Sequence, residues 1–147
     1  MGVVAVREVV REQVVVDRPA TEAWDHLSQL ERWPSWAGHI KSMKPTPPGT
    51  LTAETKVDLQ MRAGPRNTMV VTEYDPPRGW VWEGRSMGVT TRFEHRFEEL
   101  EAGQTRIWFL AWVSEPLAGP GGWMFGRMMR RALGVALPKL KAEIEAR

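Results

Sequence analysis

The sequence predicts an α+β domain: a curved antiparallel sheet of six to seven strands wrapped on one long C-terminal helix, with two short helices after the first strand. Three observations carry that prediction. The β-branched run Val14-Val15-Val16 stops at Asp17-Arg18-Pro19 and gives way to a short helical stripe. The middle of the chain alternates extended segments of about ten residues with turns rich in Pro and Gly. The last segment, Gly122 to Ala146, places apolar residues at helical spacing.

The first helix is expected over Ala20 to Leu27, where Ala20, Ala23, Trp24 and Leu27 share one face. Trp24 therefore points inward, and Asp25-His26 is expected to face solvent on the other side. A second short helical piece, LERWPSW, is interrupted by Pro34 and ends in Trp36, after which His39-Ile40-Lys41-Ser42-Met43 is extended. Turns follow at Thr46-Pro47-Pro48-Gly49, Asp75-Pro76-Pro77-Arg78-Gly79 and Glu101-Ala102-Gly103.

Leu51 to Arg62 reads as one strand, with Leu51, Ala53, Thr55, Val57, Leu59 and Met61 on its apolar face. In Asn67 to Tyr74 both faces carry apolar residues, and Met69 and Val71 are placed inward. In Trp80 to Arg85, Glu83 and Arg85 share a face with Val81, which sends Trp80 and Trp82 inward.

Thr91 to Leu100 and Thr105 to Ser114 form a hairpin about Ala102. Its register sets Phe97 opposite Ile107, His95 opposite Phe109 and Phe93 opposite Ala111 on the buried face. On the other face Arg96 meets Trp108, Glu94 meets Leu110 and Arg92 meets Trp112. There the indoles are either covered by arginine or form an apolar patch that serves as a dimer or membrane interface.

After the breaker-rich loop Glu115 to Gly121, the long helix carries Met124, Met128, Leu133, Leu137, Leu140 and Ile144 on one stripe. Pro138 should clash with the carbonyl of Gly134, so a kink or a break is expected there.

Composition narrows the function classes. With 147 residues the chain is long enough for a single domain over 1–147 with one core. It has no cysteine, which excludes disulfides and thiolate chemistry, and no stretch apolar enough to span a bilayer. The net charge of +2 is small and interspersed, so a nucleic-acid partner is not expected. The N-terminus lacks the pattern of a signal peptide, and a soluble cytoplasmic protein is expected. Eight tryptophans and eight methionines against one tyrosine suit an apolar cavity, or simply a bulky core.

Catalytic signatures are few. His26, His39 and His95 are widely spaced and lack a HExxH setting, so no metal site is expected. There is no GxSxG elbow, and Gly119-Pro120-Gly121-Gly122-Trp123-Met124 departs from GxGxxG at Met124. His95 remains, set among Phe93, Phe97 and Phe109. Desolvation there would leave a neutral imidazole able to relay a proton, or merely a hydrogen-bonded core histidine.

The strand ending at Val16, the LERWPSW segment, the Asp75-Pro76-Pro77 turn and the LPKLKAEIE ending together resemble the START-like (SRPBCC) superfamily. That superfamily includes polyketide cyclases and dehydrases, lipid-transfer domains and pollen-allergen-like carriers. The resemblance implies the helix-grip fold, in which the space between sheet and long helix is a pocket. Its aromatase/cyclases use arginine and tyrosine in that pocket; here Glu73 stands near the expected arginine and the chain has one tyrosine. Carriers of the superfamily need only an apolar cavity with a mouth.

The expected function is binding of an apolar or aromatic small molecule: a lipid, isoprenoid or polyketide-like compound. A cyclase/dehydratase-type enzyme using His95 as the acid–base group is the first alternative, and a dimeric module pairing through Trp108, Leu110 and Trp112 is the second. No cofactor is expected. The candidate lining comprises Val57, Leu59 and Met61, then Met69 and Val71, then Trp80 and Trp82. Phe93, His95, Phe97 and Phe109 come from the hairpin, and Trp36, Ile40, Met124 and Met128 from elsewhere. By strand parity the mouth lies at the loops Ala63 to Arg66, Ser86 to Gly88 and Glu115 to Gly122. Trp36, Ile40, Met87 and Trp123-Met124-Phe125 are the candidate gating residues.

Overall fold

A computed structural model describes residues 6–64, 66–86, 88–114 and 120–146. Strand β1 (Val6–Val16) leads through Pro19 into helix α1 (Ala20–Leu27) and then a 3₁₀ helix (Leu30–Ser35). Strands β2 (Ile40–Thr46), β3 (Lys56–Met61), β4 (Arg66–Asp75), β5 (Gly79–Ser86), β6 (Val89–Glu99) and β7 (Thr105–Ser114) precede helix α2 (Pro120–Glu145). Among the described residues the seven strands form one antiparallel sheet in the order β1-β7-β6-β5-β4-β3-β2. This is the helix-grip arrangement.

Helix α1 starts where the sequence places it, because the Pro19 carbonyl accepts the backbone N–H groups of Glu22 and Ala23 at 3.1 Å. The 3₁₀ helix is pinned from its side chain: the Trp33 indole N–H donates to the Leu27 carbonyl at 2.8 Å. Trp24 then packs against Tyr74, Trp80 and Phe97, with ring centroids 5.3–5.6 Å apart. These rings fill the end of the interior nearest the Pro- and Gly-containing turns.

The β6–β7 register pairs Phe97 with Ile107, His95 with Phe109 and Phe93 with Ala111 on the inner face, as the alternation predicts. Bulges reset three other strands, among them β2 between Ile40 and Ser42. One between Glu8 and Val10 in β1 lets both Val9 and Val10 be buried. One between Val71 and Glu73 in β4 leaves Met69 and Val71 facing inward while Tyr74 returns to the core.

Four sequence expectations fail locally. The strand expected from Leu51 begins only at Lys56, because the Thr55 hydroxyl accepts the backbone N–H of Thr52 and closes a turn. His26 is buried, not solvated, with Nε2 3.0 Å from Oε1 of Glu143 on α2. Helix α2 continues through Pro138 without the break that is one of the two expectations there; Pro138 lies on an exposed face with Gly134 one turn back.

Finally, the buried stripe of α2 is Gly122, Gly126, Met129, Leu133, Ala136, Leu137, Leu140 and Ile144, not one running through Met124 and Met128. Gly126 decides this. A Cβ on it would sit 2.6 Å from the Val9 carbonyl oxygen, so the helix approaches β1 closely on its glycine face. Met124 is turned outward as a result, and Met128 stands at the edge of that face, about half exposed.

Candidate functional site

Between the concave face of the sheet, the 3₁₀ helix and the N-terminal half of α2 lies a cavity of about 620 Å³. The sheet contributes Leu59 and Met61 from β3, Trp82 from β5, Phe93 and His95 from β6, and Phe109 from β7. Trp36, Ile40 and Met128 complete the set of expected residues that line it. Ala63, Gly64, Ser86 and Val89 line the end where the mouth is expected; Pro65, Met87 and residues 115–119, assigned to the same end, lie outside the described residues.

Six expected residues are not in the lining. Val57, Met69, Trp80 and Phe97 are buried, and Val71 is partly buried, in the core with Trp24 and Tyr74. Inward-facing positions on this curved sheet are not equivalent: those toward the Pro- and Gly-containing turns are occupied by α1. Met124 is 67% exposed for the reason given by Gly126. Of the gating candidates on α2, Phe125 lines the cavity, whereas Trp123 is exposed under the Arg127 guanidinium, 5.6 Å from its ring.

Other lining residues escaped the sequence reading. Asn67 and Thr91 lie two positions before Met69 and Phe93 on the same strands, so the period of two contained the signal. Val10 required the β1 bulge, and Met129 and Leu133 required the glycine face of α2. Trp33, Ala37, His39 and Met43 come from the segment that folds over the sheet, whose facing depends on tertiary contacts.

The lining is nearly all apolar, and its described residues include no Asp, Glu, Lys or Arg. Its polar side-chain groups are the imidazoles of His39 and His95, the Asn67 amide, the Trp33, Trp36 and Trp82 indoles, and the Ser86 and Thr91 hydroxyls. His95 is 3% exposed and boxed by Trp33, Trp80, Trp82 and Phe109, with ring centroids 4.6–5.6 Å away. Desolvation pushes its pKa down to about 3, which makes it a neutral imidazole at physiological pH. Burial also lowers the pKa of His39. Neither ring nitrogen of His95, nor Nε1 of Trp36, Nδ1 of His39 or Oδ1 of Asn67, has a hydrogen-bond partner among the described residues.

On the convex face Trp108 and Trp112 are half-buried and Leu110 is buried. Arg92 lies 5.3 Å from the Trp112 ring, while Arg11 and Arg106 each lie 5.9 Å from that of Trp108. Arg96, expected to stack on Trp108, instead pairs with the buried carboxylate of Glu94 beside it. Guanidinium groups thus cover the indoles.

Residues 7–145 match the family model described as polyketide cyclase / dehydrase and lipid transport. No curated protein matches the sequence. Among solved structures, a hypothetical protein of Helicobacter pylori superposes with a TM-score of 0.74 at 15% identity, covering 91% of this chain and 86% of that one. The ZhuI aromatase/cyclase of a Streptomyces species gives 0.70 at 20% identity, covering 96% and 94%. Norcoclaurine synthase of Thalictrum flavum gives 0.66 at 12% identity, covering 97% and 98%. At these identities the superpositions show a common fold.

Proposed function

Because this chain belongs to the polyketide cyclase/dehydrase and lipid-transport family of the START-like superfamily, we propose that it is a single cytoplasmic domain that binds an apolar or aromatic small molecule. A lipid, an isoprenoid or a polyketide-like compound would suit it. The supporting observation is the cavity of about 620 Å³, lined almost wholly by Trp, Phe, Met and aliphatic side chains. Each 100 Å² of ligand apolar surface removed from water contributes about 2.5 kcal/mol before the cost of association. Native mass spectrometry of freshly purified protein, followed by denaturation and identification of any released compound, tests this. A stoichiometric apolar adduct supports the carrier reading; an empty protein that also refuses added apolar compounds defeats it.

A cyclase/dehydratase-type enzyme is the second reading, favoured by the placement of His95 in the cavity with neither ring nitrogen hydrogen-bonded among the described residues. A neutral imidazole can take a proton from one carbon or oxygen and return it to another. Under this reading His95→Ala lowers kcat by orders of magnitude while KM changes only several-fold. Loss of kcat with wild-type folding would favour the enzyme with His95 as its acid–base group, turnover unaffected by the change would exclude His95 from that role, and absence of turnover in the wild type would defeat the enzyme reading.

A further inference from the structure

Two of the cavity's buried polar side chains point to the chemistry of its occupant. Trp36 is 1% exposed, and its indole N–H has no acceptor among the described residues. The neighbouring Trp33, by contrast, spends its N–H on the Leu27 carbonyl. His95 is equally enclosed and offers one donor and one acceptor as a neutral ring. Both line the cavity, and both pack on Trp33 and Phe109, so they belong to one stretch of wall. These nitrogens are buried as they stand, so an occupant of the cavity must either bond them or leave them unpaired.

Charge is restricted as well. With no Asp, Glu, Lys or Arg among the described lining residues, a carboxylate or ammonium inside the cavity would lose its hydration and meet no counter-charge. His95 cannot provide one, because desolvation holds it neutral.

Building on the ligand-binding reading, we infer that the ligand is uncharged within the cavity and carries a carbonyl or hydroxyl oxygen that takes its hydrogen bonds from Trp36 and His95. An oxygenated aromatic or a keto-terpenoid fits. A free fatty-acid anion or a plain hydrocarbon does not.

Three probes of one shape test this at pH 7.5 by isothermal titration calorimetry: naphthalene, 2-acetylnaphthalene and 2-naphthoate. The ketone should bind roughly fivefold more tightly than the hydrocarbon, the value of one net hydrogen bond. The carboxylate should bind at least about tenfold more weakly than the ketone. Trp36→Phe and, separately, His95→Phe should each bring the ratio of ketone to hydrocarbon affinity toward one; using the ratio removes any general loss from altered packing. Equal binding of ketone and carboxylate overturns the inference, as does a ketone-to-hydrocarbon ratio unchanged in both variants. Naphthalene binding without a ketone advantage sinks this inference and leaves the carrier reading standing, whereas failure of all three probes removes both.

Discussion

Nε2 of His26 lies 3.0 Å from Oε1 of Glu143, tying α1 to the C-terminal half of α2 across the end of the barrel-like interior. The same carboxylate accepts from the Ser35 hydroxyl at 2.8 and 3.0 Å, so one side chain joins α1, the 3₁₀ helix and α2. Glu143→Ala removes all three contacts next to a buried imidazole. It should lower the unfolding free energy by about 1–3 kcal/mol in urea titrations, and Glu143→Gln should recover part of the loss.

Acid should destabilise the fold through His95. Its folded-state pKa of about 3 lies below the unfolded value of 6.5, so the unfolded chain binds more protons between these limits. Stability is therefore intact above pH 6.5 and falls as the pH drops toward 3. The slope approaches about 1.4 kcal/mol per pH unit. Measured between pH 7.5 and 4.5, the wild type should lose roughly 2.7 kcal/mol more than His95→Phe; equal losses would show that the imidazole is not desolvated.

Close backbone contacts at two glycines predict intolerance of the smallest side chain. A Cβ at Gly79 would lie 2.5 Å from the His95 carbonyl oxygen, and one at Gly126 2.6 Å from that of Val9. Gly79→Ala and Gly126→Ala should each cost about 1–3 kcal/mol, read as a lowered denaturation midpoint. In Gly126→Ala, α2 would also be displaced from β1, and ligand affinity should change with it.

Ala63 is exposed and lines the cavity at its mouth. Ala63→Trp should slow ligand association in stopped-flow measurements by tenfold or more, roughly, while stability stays within about 0.5 kcal/mol of wild type. An unaltered on-rate would place the entrance elsewhere.

The arginine cover over Trp108 and Trp112 argues against that face as a dimer surface. Trp108→Lys should leave the sedimentation coefficient unchanged. It should cost stability on the order of 1 kcal/mol, since two cation–π contacts are lost. A shift to a smaller species would restore the dimeric alternative.

The sequence revealed most where a short-range rule acts alone. The β6–β7 register follows from a period of two and a turn about Ala102, and α1 from the stripe Ala20, Ala23, Trp24, Leu27 between a proline and a serine. It revealed least where a distant residue sets the environment. His26 looks like a solvent-facing residue until Glu143 covers it. Gly126 stands unmarked inside the expected helix until the Val9 carbonyl is brought against it. The cavity lining was partly legible for the same reason. Leu59, Trp82, Phe93, His95 and Phe109 follow from alternation, but the position along each strand where the packed core ends and open space begins depends on where α1 settles. Trp24, the residue that fills that end, was identified as inward without its reach being apparent.

The pairing of β1 with β7 sets an order for synthesis. Val16 meets Thr105 and Val6 meets Ser114, whereas each of the strands from β2 to β7 finds a partner in the strand made just before or just after it. At about 5–20 residues per second, the valine-rich first strand leaves the ribosome on the order of ten seconds before its partner is translated. Through that interval it is an unpaired apolar strand on a nascent chain, the kind of segment that chaperones hold and that associates with other chains when they do not.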